Sequence, residues 1–270
     1  MTQAPREFIL TLISNDPDWI RPGDEAGIER IGLDIERLGK LERQGHIHNA
    51  RISSHTLDDL KVVTSLVRKA RPFVRLNRPH PETRDEIERA LALGAGCVML
   101  PGFRLRDEAA RFIEWVDGRA ETVLLLETAT AVDRLRDFIS LPGVEEIMIG
   151  MNDLSLELNL AGPMGVAASD LMRRLSGEIR GAGIRFGFGG VARPEMEDLP
   201  VPADLVLAGY ARLGAGSAWI ARSFFQGGLG PEQFGEAIMR LRARLQFWFE
   251  QPPEILEEAG EKLRAIVRKL

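Results

Sequence analysis

Short runs of apolar residues alternate along the chain with longer stretches in which apolar residues recur every three or four positions. The short runs predict β-strands, and the longer stretches predict amphipathic helices. Eight runs are predicted strands: residues 8–13, 28–35, 73–76, 97–100, 122–126, 146–149, 184–188 and 204–208. Helices are predicted between most of them: residues 57–69, 82–93, 107–116, 132–138, 167–180 and 212–225.

The predicted strands are apolar on both faces and are separated by helices, which indicates a parallel sheet in an α/β fold. Eight such units within about 220 residues match the size of a (β/α)8 TIM barrel. The alternative is an open, doubly wound sheet. Such a sheet would need about five or six strands, so the strand count favours the barrel.

The chain departs from this regular pattern in two places. Residues 37–56 lengthen the connection between strands two and three, and long insertions in compact domains are often functional. Beyond a barrel domain of residues 1–228, residues 229–270 predict a helical hairpin interrupted at Pro252 and Pro253. This apolar hairpin either covers the flank of its own barrel or packs on a neighbouring subunit. We expect the subunit contact, because the hairpin lies beyond the eighth predicted unit of the barrel.

Composition excludes several classes of function. With 35 Lys and Arg against 40 Asp and Glu, the formal net charge is −5, which offers no basic surface for nucleic acid. The single cysteine, Cys97, allows no intrachain disulfide and no multi-cysteine zinc site. No apolar run approaches the 18 residues of a membrane span, and the first residues read as a strand and not as a signal peptide. We expect a cytoplasmic protein without membrane or nucleic-acid partners.

Chemistry in a TIM barrel lies at the carboxyl ends of the strands. Polar residues at these predicted ends are Asp34, Glu36, Arg75, Asn77, Glu127, Asn152 and Asp153. Glu127 and Asp153 are one βα repeat apart (153 − 127 = 26), and adjacent parallel strands lie about 4.8 Å apart. Their carboxylates can therefore hold one Mg²⁺ or Mn²⁺ ion and leave sites for water and a 2-keto acid. Alternatively, both acids only cap the helices that follow.

Arg75 stands among apolar residues in FVRLN, where its guanidinium can stabilise an oxyanion near the barrel mouth. It can equally form a salt bridge with Asp34 or Glu36, and the two roles are compatible. His55 follows the long insertion and is either a helix-start residue or a base at the mouth.

The remaining candidates carry weaker signals. His46 and His48 are two ligands at most and do not make a zinc site, and Cys97 lies in an apolar strand and is expected to be inert. Residues 187–195 and 209–218 are rich in glycine and are predicted to follow strands seven and eight. Loops at those positions often bind phosphate, although glycine also serves ordinary tight turns.

Four segments carry a more specific signal: FVRLN at 73–77, ALALGAGCVMLPGF at 90–103, LLLETATAV at 124–132 and IGMNDLSLELNL at 149–160. They resemble the motifs of the HpcH/HpaI aldolase and citrate lyase family, which are pyruvate- and phosphoenolpyruvate-type barrels. The similarity runs from about residue 28 to residue 225. Residues 32–45, GLDIERLGKLERQG, look like a divergent branch of the family that is associated with biosynthesis.

The resemblance implies that Glu127 and Asp153 hold the divalent metal. It also implies that the amides of Asn152 and Asp153 bind the substrate carboxylate and that Arg75 stabilises the pyruvate enolate. Gly150 and Pro101 adjoin these motifs and are expected to contact substrate. The barrels of the family usually form dimers to hexamers, often with a terminal helix crossing to a neighbour, so we expect a homo-oligomer.

The same comparison exposes two departures. Family aldolases carry Asp-x-Glu-His after strand two, whereas this chain has Asp34-Ile-Glu36-Arg37, and an arginine cannot act as a base at neutral pH. The family glutamine two residues before the metal glutamate is Leu125 here. Proton transfer would then fall to His55 or to metal-bound water, or the acceptor chemistry differs. Asp34, Glu36 and His55 complete the expected catalytic set with Arg75.

These observations predict a metal-dependent carbon–carbon lyase or aldolase that acts on pyruvate, oxaloacetate or a related 2-keto acid with an aldehyde-type acceptor. Two alternatives stay open. One is a citrate-synthase-like condensing enzyme that uses an acyl donor, and the other is a barrel that binds a ligand without catalysis.

Overall fold

A computed structural model describes residues 8–39 and 53–270. In these residues, eight parallel strands pair in chain order, and the last pairs with the first to close a barrel. The strands are β1 (Ile9–Ile13), β2 (Arg30–Asp34), β3 (Arg71–Arg75), β4 (Cys97–Leu100), β5 (Glu121–Leu126), β6 (Glu146–Ile149), β7 (Arg185–Val191) and β8 (Ser217–Ile220). The predicted TIM barrel is confirmed.

Helices cover the outside of the barrel. They are α1 (Pro17–Glu25), α2 (Leu60–Leu66), α3 (Thr83–Ala92), α4 (Arg106–Val116), α5 (Ala129–Asp133), α6 (Leu135–Ile139), α7 (Met151–Glu157), α8 (Gly162–Ala168), α9 (Asp170–Gly181), α10 (Ala203–Leu213), α11 (Pro231–Phe249) and α12 (Pro253–Val267). Short 3-10 turns add Leu57–Asp59 and Arg222–Phe225. No helix of the described ranges is both long and apolar enough to cross a bilayer.

Alternate residues of each strand point into the barrel, as the two-residue period of a strand requires. The interior cluster consists of Phe73, Cys97, Met99, Val123, Leu125 and Met148. The other strand residues join a larger cluster with the helices. Cys97 is buried, and burial raises the pKa of its thiol, which fits the predicted inert core residue.

Charged side chains close the amino-terminal end of the barrel. Arg30 is buried and donates to Glu121 at 2.5 Å and to Glu146 at 2.8 Å. Ser217 Oγ donates to the second carboxylate at 2.6 Å. Burial opposes the charge of Arg30, but attraction to Glu146 and Glu121 outweighs burial and raises its pKa. This end is therefore filled by its own ion pairs, which leaves the carboxyl ends of the strands for chemistry.

The eighth predicted strand is wrong. Residues 204–208 lie in α10, and the true β8 falls inside the predicted helix 212–225. The run DLVLA belongs to a helix that is buried over much of its surface, and apolar periodicity does not separate such a helix from a buried strand. Residues 209–218 consequently run from the end of α10 into β8, at the wrong end of the barrel for a phosphate loop.

The packing of β7 against β8 explains the glycines of the segment 187–195. Most of the segment belongs to β7, which runs beside β8. A Cβ on Gly187 would lie 2.0 Å from Ser217 Oγ, and one on Gly190 would lie 2.9 Å from the Cβ of Ala221. The glycines allow the two strands to approach, which favours the interpretation as packing residues over a phosphate cradle.

The strand correction changes the meaning of the C-terminal hairpin. Because α10 is the helix of the seventh unit, α11 is the helix of the eighth, and it packs against α1 and α10 of its own barrel. The second helix, α12, packs on α10 and α8. Both helices therefore cover the flank of this chain. The division at residue 228 and the homo-oligomer stay predictions.

Candidate active site

Three buried acids meet at the carboxyl end of the barrel. Glu36 lies two residues beyond β2, Glu127 directly follows β5, and Asp153 lies in the first turn of α7 after β6. One carboxylate oxygen from each lies within 4.8 Å of the others. The sequence analysis predicted that Glu127 and Asp153, on neighbouring strands, lie together. The structure adds Glu36 from the opposite side of the mouth, a residue that the sequence assigned to catalysis.

Arg75 points into the same space from the end of β3. Its Nε and Nη2 donate to the two oxygens of Asp34 at 2.9 Å and 2.5 Å, and its Nη1 lies 3.5 Å from Glu36. The guanidinium also lies 4.8 Å from the centre of the Trp219 ring. The salt bridge that the sequence analysis considered between Arg75 and Asp34 is therefore present. Nη1 of Arg75 faces Glu36, one of the three acids.

Electrostatics keep this arginine charged. Burial alone would lower the pKa of Arg75, but attraction to Asp34 and Glu36, the hydrogen bonds to Asp34 and the charge of Glu127 raise it. Asp34 also accepts the backbone N–H of Glu36 at 3.1 Å. Through these hydrogen bonds Asp34 positions Arg75 and Glu36. It is not one of the three acids that form the cluster.

Gly150, at the end of β6, leaves room for Glu127. A Cβ on this glycine would lie 2.6 Å from both Cβ and Oε2 of Glu127. Any other residue would displace the carboxylate from its place beside Asp153. Gly150 was predicted to contact substrate, and its geometry points first to shaping the acid cluster.

The three acids fit a hard divalent cation. All three carboxylates are buried at the mouth of the barrel. Three carboxylate donors within 4.8 Å suit the oxygen coordination of Mg²⁺ or Mn²⁺ and leave further positions for water and substrate oxygens.

His55 reaches the same rim but in a particular tautomer. The backbone N–H of Asp34 donates to His55 Nδ1 at 3.3 Å, so in the neutral ring the proton is on Nε2. Burial lowers the pKa of His55, while Asp34 and Asp59 oppose that shift. The neutral ring is favoured at pH 7. In that ring Nε2 carries the proton, so it can donate a hydrogen bond but cannot accept a proton. A base role would require Nδ1 to give up the Asp34 amide.

The residue in the position of the family histidine, Arg37, is exposed and bonds to backbone carbonyls. Its Nη2 donates to the carbonyls of Ser54 and His55 at 2.9 Å and 3.1 Å. Its backbone N–H donates to Asn77 at 2.8 Å. Arg37 thus braces the rim between strands two and three. His46 and His48 lie outside the described residues.

The remaining predicted substrate contacts lie on neighbouring loops. Asn152 is exposed in the first turn of α7, and Pro101 is buried directly after β4. Both residues lie at the carboxyl end of the barrel, and their substrate contacts stay predictions.

Two features escaped the sequence analysis. Glu157, at the end of α7, accepts the backbone N–H of Ala129 at 2.6 Å and pairs with Arg104. Trp219 carries an indole N–H that is buried without a hydrogen-bond partner in the described ranges. The misplaced eighth strand concealed Trp219, and the link from Glu157 to Arg104 spans 53 residues and has no local signal.

Sequence comparison finds no match to a family model, and no curated protein matches either. Solved structures do match. An HpcH/HpaI aldolase from Desulfitobacterium hafniense DCB-2 has a TM-score of 0.61 at 16% identity, covering 91% of this chain and 94% of that one. A family protein described as HpcH/Hpal aldolase/citrate lyase, from Burkholderia cenocepacia J2315, has a TM-score of 0.63 at 16% identity, covering 89% and 97%.

A third crystal structure, described as citrate synthase SbnG, has a TM-score of 0.56 at 16% identity and covers 80% of this chain and 86% of its own. At this identity, the likeness establishes the shared barrel fold. The structures that share it include proteins of the family that the sequence motifs resemble.

Proposed function

We propose that the chain is a divergent member of the HpcH/HpaI aldolase and citrate lyase family and a divalent-metal-dependent carbon–carbon lyase or aldolase. The observation that carries this proposal is the meeting of Glu36, Glu127 and Asp153 beside Arg75 at the carboxyl end of a TIM barrel. The sequence motifs and the shared fold support it independently.

In this proposal, Glu36, Glu127 and Asp153 hold Mg²⁺ or Mn²⁺, which supplies a Lewis acid for the keto oxygen of a 2-keto acid. Arg75 balances the charge that develops when the substrate becomes an enolate. Its Nη1 is the donor available for that task, since Nε and Nη2 are held by Asp34. Removing one such donor typically costs about 2.7–4 kcal/mol of transition-state stabilisation.

A condensing enzyme that attacks an acyl donor is the second candidate. It needs the same acids and arginine but no retro-aldol base. Two observations favour it: Arg37 replaces the histidine of the aldolases, and a structure described as a citrate synthase shares the fold. Consumption of a thioester in the presence of oxaloacetate distinguishes condensation from aldol cleavage.

Exchange of the pyruvate methyl protons with D₂O, followed by NMR, tests the shared first step. We expect exchange that requires Mg²⁺ or Mn²⁺ and is lost in Glu127→Gln and Asp153→Asn. Glu88→Gln, an exposed acid paired with Arg119, is the matched control and should exchange like the wild type. If no small 2-keto acid shows metal-dependent exchange, the chain is better explained as a barrel that binds a ligand without catalysis.

A further inference from the structure

Arg78 lies on the rim of the barrel mouth, three residues beyond Arg75 and half-buried. Its side chain rests on Gly102, in the loop that follows β4. A Cβ on Gly102 would lie 3.1 Å from the Cβ of Arg78 and 3.3 Å from its Nε. Gly102 also has a φ of +63°, which other residues adopt only with strain. The glycine therefore lets the arginine lie across the end of β4.

The end of β4 is next to the strand that carries Glu127. Leu100 of β4 pairs with Leu124 of β5, so Gly102 and the residues around Glu127 stand at similar heights on adjacent strands. A guanidinium over Gly102 is thus on the rim beside the acid cluster.

Among the described residues, the guanidinium of Arg78 makes no hydrogen bond or ion pair. Three other rim arginines of the described ranges already have partners. Arg37 donates to two carbonyls, Arg104 pairs with Glu157, and Arg193 donates to the Gln226 carbonyl. The acid nearest in sequence, Glu82, pairs with His80. Arg78 therefore offers a cation that no described side chain neutralises.

We infer that Arg78 binds an oxyanion, a carboxylate or a phosphate, on the acceptor substrate. The inference rests on the proposed function, because it requires a keto acid at the cluster and an acceptor beside it. The acids of the site would repel an anionic acceptor, so a cation is needed where its charged end lies. A guanidinium suits this role because its planar fork matches carboxylate and phosphate groups.

Acceptor discrimination tests the inference. Succinic semialdehyde against butyraldehyde gives a carboxylate and its neutral counterpart, and glyceraldehyde 3-phosphate against glyceraldehyde gives the phosphate pair. We expect the metal-loaded wild type to prefer one or both anionic members in kcat/KM, and the pair that shows the preference identifies the group. Arg78→Gln should lose about 10- to 100-fold on the preferred anionic acceptor and nothing on the neutral one.

Two controls separate this inference from the proposed function. Pyruvate proton exchange should be unchanged in Arg78→Gln. Its absence in the wild type would overturn the proposed function, whereas normal exchange without any preference for anionic acceptors would overturn the inference and leave the proposed function intact. Arg111→Gln, an exposed arginine on α4, should keep the full preference for anionic acceptors.

Calorimetric titration of the metal-loaded protein with succinate and with inorganic phosphate measures binding without turnover. We expect at least one of them to bind the wild type and to bind Arg78→Gln about 10-fold or more weakly. Equal affinity in the two proteins, binding to neither, or equal losses on both members of an acceptor pair would overturn the inference.

Discussion

Arg75 links the acids of the candidate site into one unit. It grips Asp34 with two donors, approaches Glu36 with the third nitrogen, and lies over Trp219. Such a residue is recognisable from sequence as an arginine in an apolar strand. Its partners are not, because the distance from Arg75 to Trp219 is 144 positions (219 − 75) and depends on barrel closure between β1 and β8.

For Glu36, too, the position could be predicted from the sequence but the partners could not. Its place after strand two was predictable, and so was a role near Arg75. Its approach to Glu127 and Asp153 was not, since it crosses the mouth and depends on the width of the closed barrel.

His55 supplies a pH-dependent prediction. Burial holds its pKa below the usual 6.5, so the unfolded chain binds the proton more readily than the folded one. The neutral, buried form of His55 therefore contributes its full stability to the fold above pH 6.5. That stability is lost as the pH falls from 6.5 through the lowered pKa of the folded chain. His55→Asn keeps an acceptor for the Asp34 amide but does not titrate.

Urea unfolding at about pH 7.5 and about pH 5.5 measures the effect. The free energy of unfolding should fall less with acid in His55→Asn than in the wild type. An equal fall in the two proteins would show that His55 does not titrate differently in the folded and unfolded chains.

Three loops around the acids are tied together at the scale of secondary-structure elements. Glu157 of α7 accepts from Ala129 after β5 and pairs with Arg104 after β4, while Thr128 Oγ1 donates to the Phe103 carbonyl at 3.0 Å. Glu127 precedes one end of this network, and Asp153 lies one helical turn before Glu157. The network therefore fixes the spacing of two acids of the cluster.

Glu157→Gln should weaken the binding of Mn²⁺ by about 10- to 100-fold, as loss of a group that supports metal ligands typically does. The reason is that the loop after β5 loses its charged partner and the two acids lose their spacing. Calorimetry measures the affinity, and circular dichroism checks that the fold persists. Unchanged affinity in a folded Glu157→Gln protein would assign Glu157 a structural role only.

Most strands were predictable because barrel strands are apolar on both faces and end at polar residues. Cys97–Leu100 and Glu146–Ile149 match their predictions, while the prediction failed at α10. There, Leu207, Ala208, Tyr210 and Ala211 are buried between the barrel and the C-terminal helices, so the helix shows no polar face that would distinguish it.

At the scale of the whole molecule, the error of one strand changed the expected use of the last 42 residues (270 − 228). When residues 204–208 are taken as the eighth strand, the barrel is complete before the hairpin begins, and the hairpin has no place in it. With the units placed correctly, α11 completes the ring and α12 packs on α10 and α8, where Gly260 lets the helix approach Arg212 of α10.

Calorimetric titration of the metal-free protein with Mn²⁺ tests the central claim most directly. The account predicts binding near one ion per chain, weakened by about 100-fold or more in Glu36→Gln, Glu127→Gln and Asp153→Asn. Glu88→Gln should bind like the wild type, and circular dichroism should show all four variants folded. Tight binding that survives in all three site variants, or no binding to the wild type, would contradict the account.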